Sequence, residues 1–188
     1  MPSSMPSPMS PPLSGPVIRT AVPDDLDAVA ALHAEARATY YRGHLPEDEY
    51  DGPAERARGR AGWARALAGE DPEAAVLCAV DDTGLVGIAA YRPVEGVLTL
   101  TQFHVAPARW RRGVGGALHA ACVGAWQRAG AGTARLEVYE HNTRAQSFYA
   151  RQGWYPDPHH PRHDTHLVLR FEVPERQVVG PEGKTKSG

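Results

Sequence analysis

From Val17 onward, apolar runs alternate with turns rich in Gly, Pro and Asp, and the spacing inside each run separates strands from helices. Val17 to Thr20 reads as a short first strand. Pro23, Asp24 and Asp25 then open a helix, since proline suits the first turn and acids suit its positive end. Leu26, Val29, Ala30, His33 and Ala36 recur at helical spacing as far as Tyr40 and Tyr41. The stretch RGHLPEDEYDGP breaks that pattern, and a second helix runs through Trp63 and Leu67. Two apolar runs, AAVLCAV (74–80) and GLVGIAAYRPV (84–94), joined by Asp81-Asp82-Thr83, carry a hairpin signature. A turn at Glu95-Gly96 leads to a third strand, VLTLTQFHV (97–105). The helical period returns from Gly113 through Leu118, Cys122, Val123 and Trp126 to about Gly130. A strand at 134–139, a helix from Thr143 to Gln152 stopped by Gly153, and a last strand at 166–173 complete the order. Hairpins followed by strand–helix–strand imply an α/β fold: a mixed sheet with helices on both faces.

Composition narrows the function classes. The 188 residues are 42% hydrophobic and 22% charged, ordinary for one globular domain that needs no staples. A net charge of −2 without a single-sign block gives no reason to expect a nucleic-acid partner. No stretch reaches the roughly 18–20 apolar residues of a membrane span. The opening MPSSMPSPMSPPLSGP has neither a basic start nor a hydrophobic middle, so a cytoplasmic location is expected. Cys78 and Cys122, each in an apolar run, read as buried thiols in a reducing compartment. Residues 1–16 and 174–188 hold little to bury, and the folded part is expected over 17–173.

Two segments carry chemistry. In Trp110-Arg111-Arg112-Gly113-Val114-Gly115-Gly116-Ala117-Leu118, glycines at the strand–helix junction let a ligand approach the backbone, and a helix start offers unpaired N–H groups and a positive dipole end. Together these suit a phosphate, with Arg111 and Arg112 adding charge. A glycine-rich turn packing helix on strand is the plainer alternative. A dinucleotide fingerprint is excluded because Leu118 stands where the third glycine belongs, and Gly183-Lys184-Thr185 lacks the upstream glycine of a P-loop, holding Val178 there. The second segment, Asn142-Thr143-Arg144-Ala145-Gln146-Ser147-Phe148-Tyr149-Ala150-Arg151-Gln152-Gly153-Trp154, follows a strand directly. Asn142 suits a helix N-cap, Ala145 and Phe148 a core face, and Gly153 a helix stop. None of those roles asks for tyrosine at 149.

RRGVGGAL and NTRAQSFYARQGW, in this order with a strand between them, resemble the GNAT superfamily of N-acetyltransferases across roughly residues 17–173. YYRGHLPEDEYD also resembles the first helical region of some bacterial members. The resemblance implies a single GNAT-type domain with a mixed, mostly antiparallel central sheet. It further implies acetyl-CoA as cosubstrate, a primary amine as acceptor and direct attack in a ternary complex, by a monomer or homodimer. By that resemblance the backbone of Arg111, Arg112, Gly113, Val114, Gly115 and Gly116 binds the CoA pyrophosphate. Phe103, His104 and Val105 border the pantetheine arm where two parallel strands splay, Asn142 hydrogen-bonds the cofactor, and Tyr149 protonates the leaving thiolate. One departure is Trp110, which stands where the glycine motif often begins with Gln or Arg.

The base that takes the amine's proton is expected among His104, Glu137, His141 and a water relay, with His104 the leading candidate because it lies on the cofactor-bordering strand. Thr99 and Thr101 stand where some relatives carry a base. Tyr40, Tyr41 and the acidic stretch Glu47-Asp48-Glu49 are expected to border the acceptor site or to form a solvated loop. The histidine-rich PHHPRHDTH (158–166) could bring His160, His163 and His166 onto a metal, but its prolines disrupt a ligand face, and no metal is expected. A non-catalytic acyl-CoA-binding domain is the alternative reading.

Overall fold

The computed structural model describes residues 15–176. The leader expected over 1–16 and the tail over 174–188 fall almost wholly outside those residues. Within the described residues the elements are β1 (Val17–Thr20), α1 (Leu26–Tyr41), α2 (Glu47–Asp51), α3 (Pro53–Leu67), β2 (Ala75–Asp81), β3 (Gly84–Val94), β4 (Val97–Val105), α4 (Val114–Arg128), β5 (Thr133–Tyr139), α5 (Thr143–Arg151), β6 (Tyr155–Pro156), β7 (Arg162–His163) and β8 (His166–Glu172). The pattern-based elements are all present within a residue or two. Three short ones were not anticipated: α2, inside the stretch that breaks the helical period, and the two-residue strands β6 and β7, too short to show a period.

The strands pair in the order β1-β2-β3-β4-β5-β8-β6, with β7 added to β8. Only β4 and β5 run parallel; every other pair is antiparallel. The β3–β4 hairpin closes on Glu95 and Gly96, both at positive φ (52° and 78°), the two-residue geometry that matches strand twist. The single parallel pair follows from connection length, because α4 must cross over the sheet between β4 and β5.

Each sheet face is covered. On one side Val29 and Leu32 of α1 and Trp63 and Leu67 of α3 pack on Val76, Cys78, Ile88 and Ala90. On the other, Leu118, Cys122 and Trp126 of α4 and Tyr149 of α5 pack on Ala89, Leu100, Leu136, Val138 and Phe171. His119 lies inside this second core, where its Nε2 accepts a 2.9 Å hydrogen bond from Trp154 Nε1, and burial lowers its pKa to about 4. Cys78 and Cys122 are buried free thiols. Burial pushes Cys122 up to about 12, which suits packing and not nucleophilic work. Among the described residues no helix is long and apolar enough to cross a membrane.

Candidate active site

The site begins with a failure of pairing. β4 and β5 are in register only at Thr99↔Arg135 and Leu100↔Leu136, although β4 continues to Val105 and β5 to Tyr139. Beyond Leu100 the strands diverge into a fork, which leaves the β5-facing edge of β4 free to pair with an extended ligand. The fork opens beside a register shift: Ala90 faces Gln102 and Tyr91 faces Leu100, so Thr101 is an extra residue in β4, a bulge. Its hydroxyl donates to the Ala90 carbonyl at 3.1 Å. The bulge resets the alternation of side chains. Phe103 turns toward α5, 5.5 Å from Phe148 and 6.1 Å from Tyr149 by ring centroids, while His104 turns toward α1, 5.0 Å from His33.

At the far end of β4 the glycine turn opens α4. Arg111 holds a left-handed φ of 61° and Gly113 one of 81°, a strained conformation for an arginine. No side chain caps the helix; Ala117 N donates to Gly113 O, and the N–H groups of the preceding residues are left at the helix start. Gly115 is tight, since a Cβ there would meet the Phe148 ring at 3.2 Å. Gly116 is open: a Cβ would meet nothing within 4 Å. Arg111, Gly113, Gly115 and Gly116 line a groove of about 1020 Å³ together with Phe103, Val105, Asn142 and Tyr149. The Val114 side chain turns away into the core beside Ala79 and Val86, and exposed Arg112 is not in the groove wall. Any contact from those two positions is through the backbone, or, for Arg112, from outside the groove.

The opposite wall is α5. Asn142 Oδ1 accepts from Ala145 N at 3.2 Å, the N-cap read from sequence, and Asn142 still reaches the groove. Tyr149 is buried among Phe103, Phe148 and Trp154, and its hydroxyl makes no hydrogen bond among the described residues. Burial, then Tyr40 and Cys122 nearby, push its pKa well above that of a free phenol. Besides the close approach of Gly115 to Phe148, a strap joins the two walls. Trp110 Nε1 donates to Val105 O at 2.9 Å, and the Arg144 guanidinium lies 3.2 Å from the Trp110 ring centroid while donating to Thr39 Oγ1 at 3.2 Å. This strap ties the glycine turn, α5 and α1 together along the groove.

A second cavity of about 390 Å³ opens on the α1 face of the fork. It shares Tyr40, Phe103, His104, Asn142 and Tyr149 with the groove, so the two spaces meet at the fork. His104 Nε2 is engaged by Gln102 Oε1 at 2.8 Å. Burial, then His33 and Arg37, lower His104 to about 3, and burial and Arg37 lower His33 to about 4. Both imidazoles are therefore neutral at pH 7. Glu137 follows the last β5 residue that pairs with β4 and lines this cavity, with its carboxylate 3.3 Å from His163 Nδ1. His141 is exposed, stacked on His44 with centroids 4.3 Å apart, and lines neither space.

Tyr40 and Tyr41 line the second cavity, as expected. The acidic stretch does not: Glu47, Asp48 and Glu49 sit exposed on α2, whose buried residue is Tyr50. In the histidine-rich segment, His166 borders the cavity while exposed His163 turns to Glu137. Buried Asp157 anchors this segment, accepting from the His159 and His160 N–H groups at 2.9 and 3.0 Å with Arg135 at 3.5 Å. Sequence reasoning missed Gln102, Arg37, Glu55 and the Trp110–Arg144 strap. The one signal was Trp110 in an unusual motif position; the others are joined only by the fold.

The profile of the acetyltransferase (GNAT) family matches residues 29–154. The PaiA N-acetyltransferase of Thermoplasma acidophilum, solved in complex with coenzyme A, superposes with a TM-score of 0.76 at 18% identity, over 85% of this chain and 99% of that one. The ribosomal-protein-S18-alanine N-acetyltransferase of Escherichia coli gives 0.59 at 19% identity over 92% and 99%. A GNAT-family acetyltransferase of Desulfovibrio desulfuricans gives 0.61 at 22% identity over 85% and 99%. No curated protein sequence matches significantly. At these identities the solved structures speak for the fold, and the family profile, spanning more than half the chain, settles the membership. The chain belongs to the acetyltransferase (GNAT) family.

Proposed function

We propose that the protein transfers an acetyl group from acetyl-CoA to a primary amine by direct attack in a ternary complex at the β4–β5 fork. The observation that carries this reading is the meeting of two spaces at one phenol: Tyr149 lines both the groove below the glycine turn and the cavity on the α1 face. A binding domain needs only the groove. Support for the donor comes from the uncapped α4 start, the open Gly116 position and the free β4 edge, which suit a diphosphate followed by an extended amide-bearing arm.

Acetyl-CoA supplies the thioester; the chain supplies position and protons. The N–H groups of the Gly113–Gly116 turn hold phosphate, with the Arg111 guanidinium beside them. Phe103 and the N–H of Val105 offer backbone to the arm, the Val105 carbonyl being held by Trp110 Nε1, and Asn142 adds a side-chain contact. Tyr149, a neutral phenol, donates its proton to the departing sulfur. On the other side of the fork, His104 is a neutral acceptor with Nε2 committed to Gln102, and it orients the amine through Nδ1. With its pKa near 3 it is too weak a base to hold the proton, which passes to Glu137 or to solvent. Cys122, buried on α4 and outside both cavities, leaves no thiol placed for a covalent acyl-enzyme.

Incubating the full chain with acetyl-CoA and a panel of polyamines, aminoglycosides, amino acids and peptides, and reading thiol release with mass detection of the N-acetyl product, tests the reading. Release that depends on an amine supports it. CoA binding with no amine-dependent release across the panel would support the non-catalytic alternative.

A further inference from the structure

The second cavity has a charge arrangement that the acetyl-transfer reading does not require. Its charged lining groups are Arg37 on α1, Glu55 and Arg58 on α3, and Glu137 on β5. Glu55 is shared by two guanidiniums, with Oε1 on Arg37 and Oε2 3.1 Å from Arg58. Two positive groups on one carboxylate leave the helical wall with about one unit of positive charge in excess. The sheet wall is the reverse. Among the described residues Glu137 has no arginine or lysine partner, only the exposed imidazole of His163, whose pKa it raises. The remaining titratable groups of the lining are four tyrosines, of which Tyr40, Tyr139 and Tyr149 are held above their usual range, and His33, His104 and His166, of which the first two are neutral. The cavity is thus positive on the α1–α3 side and negative at the fork, where the amine must stand to be acylated.

We infer that the acceptor is a zwitterion of amino-acid size, its ammonium at Glu137 by the fork and its carboxylate against Arg37 and Arg58. This rests on the acetyl-transfer reading. A volume of about 390 Å³ lies at the small end of ligand pockets. Tyr40, Tyr41 and Tyr139 give the acceptor's side chain an aromatic surface. A polyamine would set its second cation against the arginines and is disfavoured. Arg37 already stacks over Tyr41 at 5.3 Å and is held by Glu55, so it is a fixed wall; Arg58, mostly exposed, is free to swing onto the ligand.

The test uses matched amines with and without the carboxylate: L-lysine against cadaverine, L-phenylalanine against phenethylamine, with 2-aminoethylphosphonate as an arm carrying a different anion. The carboxylated member is expected to show kcat/KM about ten-fold or more above its partner. Arg58→Ala is expected to raise KM for the carboxylated member about ten-fold and close most of the gap, and Arg58→Lys to restore part of it. Preference for the phosphonate arm over both amino acids overturns the carboxylate assignment. Amines lacking the carboxylate that react as well as or better than their partners overturn the inference while leaving acetyl transfer standing, as does an Arg58→Ala effect equal on both members of a pair. No thiol release with any amine overturns the inference and the acetyl-transfer reading together.

Discussion

Tyr149→Phe removes one oxygen and little else, which makes it the sharpest probe of the proposed chemistry. The ring packs against Phe103, Phe148 and Trp154, with centroids 6.1, 5.5 and 5.9 Å away, and phenylalanine retains those contacts. The hydroxyl has no hydrogen-bond partner among the described residues, so nothing is left unpaired on its removal. The stability change should stay within about 0.5 kcal/mol. On the proposed reading affinity for CoA rests on the glycine turn and the β4 edge, and should move less than about two-fold. The rate is another matter. A positioned proton donor contributes about 100-fold or more, so kcat should fall by about 100-fold, near 2.7 kcal/mol in barrier. Urea unfolding gives the first quantity, calorimetry with CoA the second, and thiol release at saturating amine the third. Since the phenol is held above its usual range, the wild-type rate should show no loss from its deprotonation below pH 10. A variant that lost CoA affinity in proportion to kcat, or that turned over at the wild-type rate, would remove Tyr149 from the acid role.

Three further outcomes follow from the geometry. Gly116→Ala, whose Cβ meets nothing within 4 Å, should keep or gain stability, up to about 1 kcal/mol from helix propensity, while weakening CoA by about ten-fold; equal CoA affinity would move the phosphate elsewhere. Because the Trp110–Arg144 strap crosses the groove wall and Trp110 occupies the Val105 carbonyl, CoA should alter tryptophan fluorescence, and Trp110→Phe should abolish most of that change. A signal that survives the substitution would show that the strap stays put. Acid should unfold the protein in a defined window. His119 titrates near 4 when folded and near 6.5 when unfolded, so between those values the unfolded chain binds more protons and stability falls as pH falls, by up to about 3 kcal/mol at pH 4. His33 and His104 are also depressed and act in the same direction, and unfolding free energies at pH 7 and pH 5 that matched would contradict the burial of all three.

The fold was legible where periodicity is long. The apolar spacing from Leu26 to Tyr41 and the two hairpins β2–β3 and β3–β4 are local patterns, and each maps onto one element. α2 escaped notice because five residues, EDEYD, show no amphipathic period, and β6 and β7 because two residues have none to show. Within the site, the segments that could be read were those where backbone and chemistry coincide: the glycine turn and the Asn142–Tyr149 helix. The face of His104 could not be read, because it depends on the extra residue at Thr101; an unbulged β4 would place Leu100 and His104 on the same side, and they face opposite ones. Nor could the pairing of Arg37 with Glu55, which joins residues 18 apart through the packing of α1 on α3.

That single bulge has consequences for how protons move. Acylating an ammonium strips two protons from nitrogen, one before attack and one as the tetrahedral adduct collapses, and delivers one to sulfur; a single group placed beside both atoms would have to reverse its role within one turnover. The extra residue at Thr101 leaves the Phe103 ring beside α5 and Tyr149 and the His104 ring beside His33 of α1, so adjacent positions of β4 have their rings on opposite faces of the sheet where the two spaces meet. On the proposed reading, the protons lost from nitrogen and the proton gained by the thiolate belong to separate groups. Deleting Thr101 to restore regular pairing tests this directly. It should extend the β4–β5 ladder, close the fork, and abolish both CoA binding and turnover in a chain that still folds; a deletion variant that kept CoA affinity would show that the splay does not depend on the bulge.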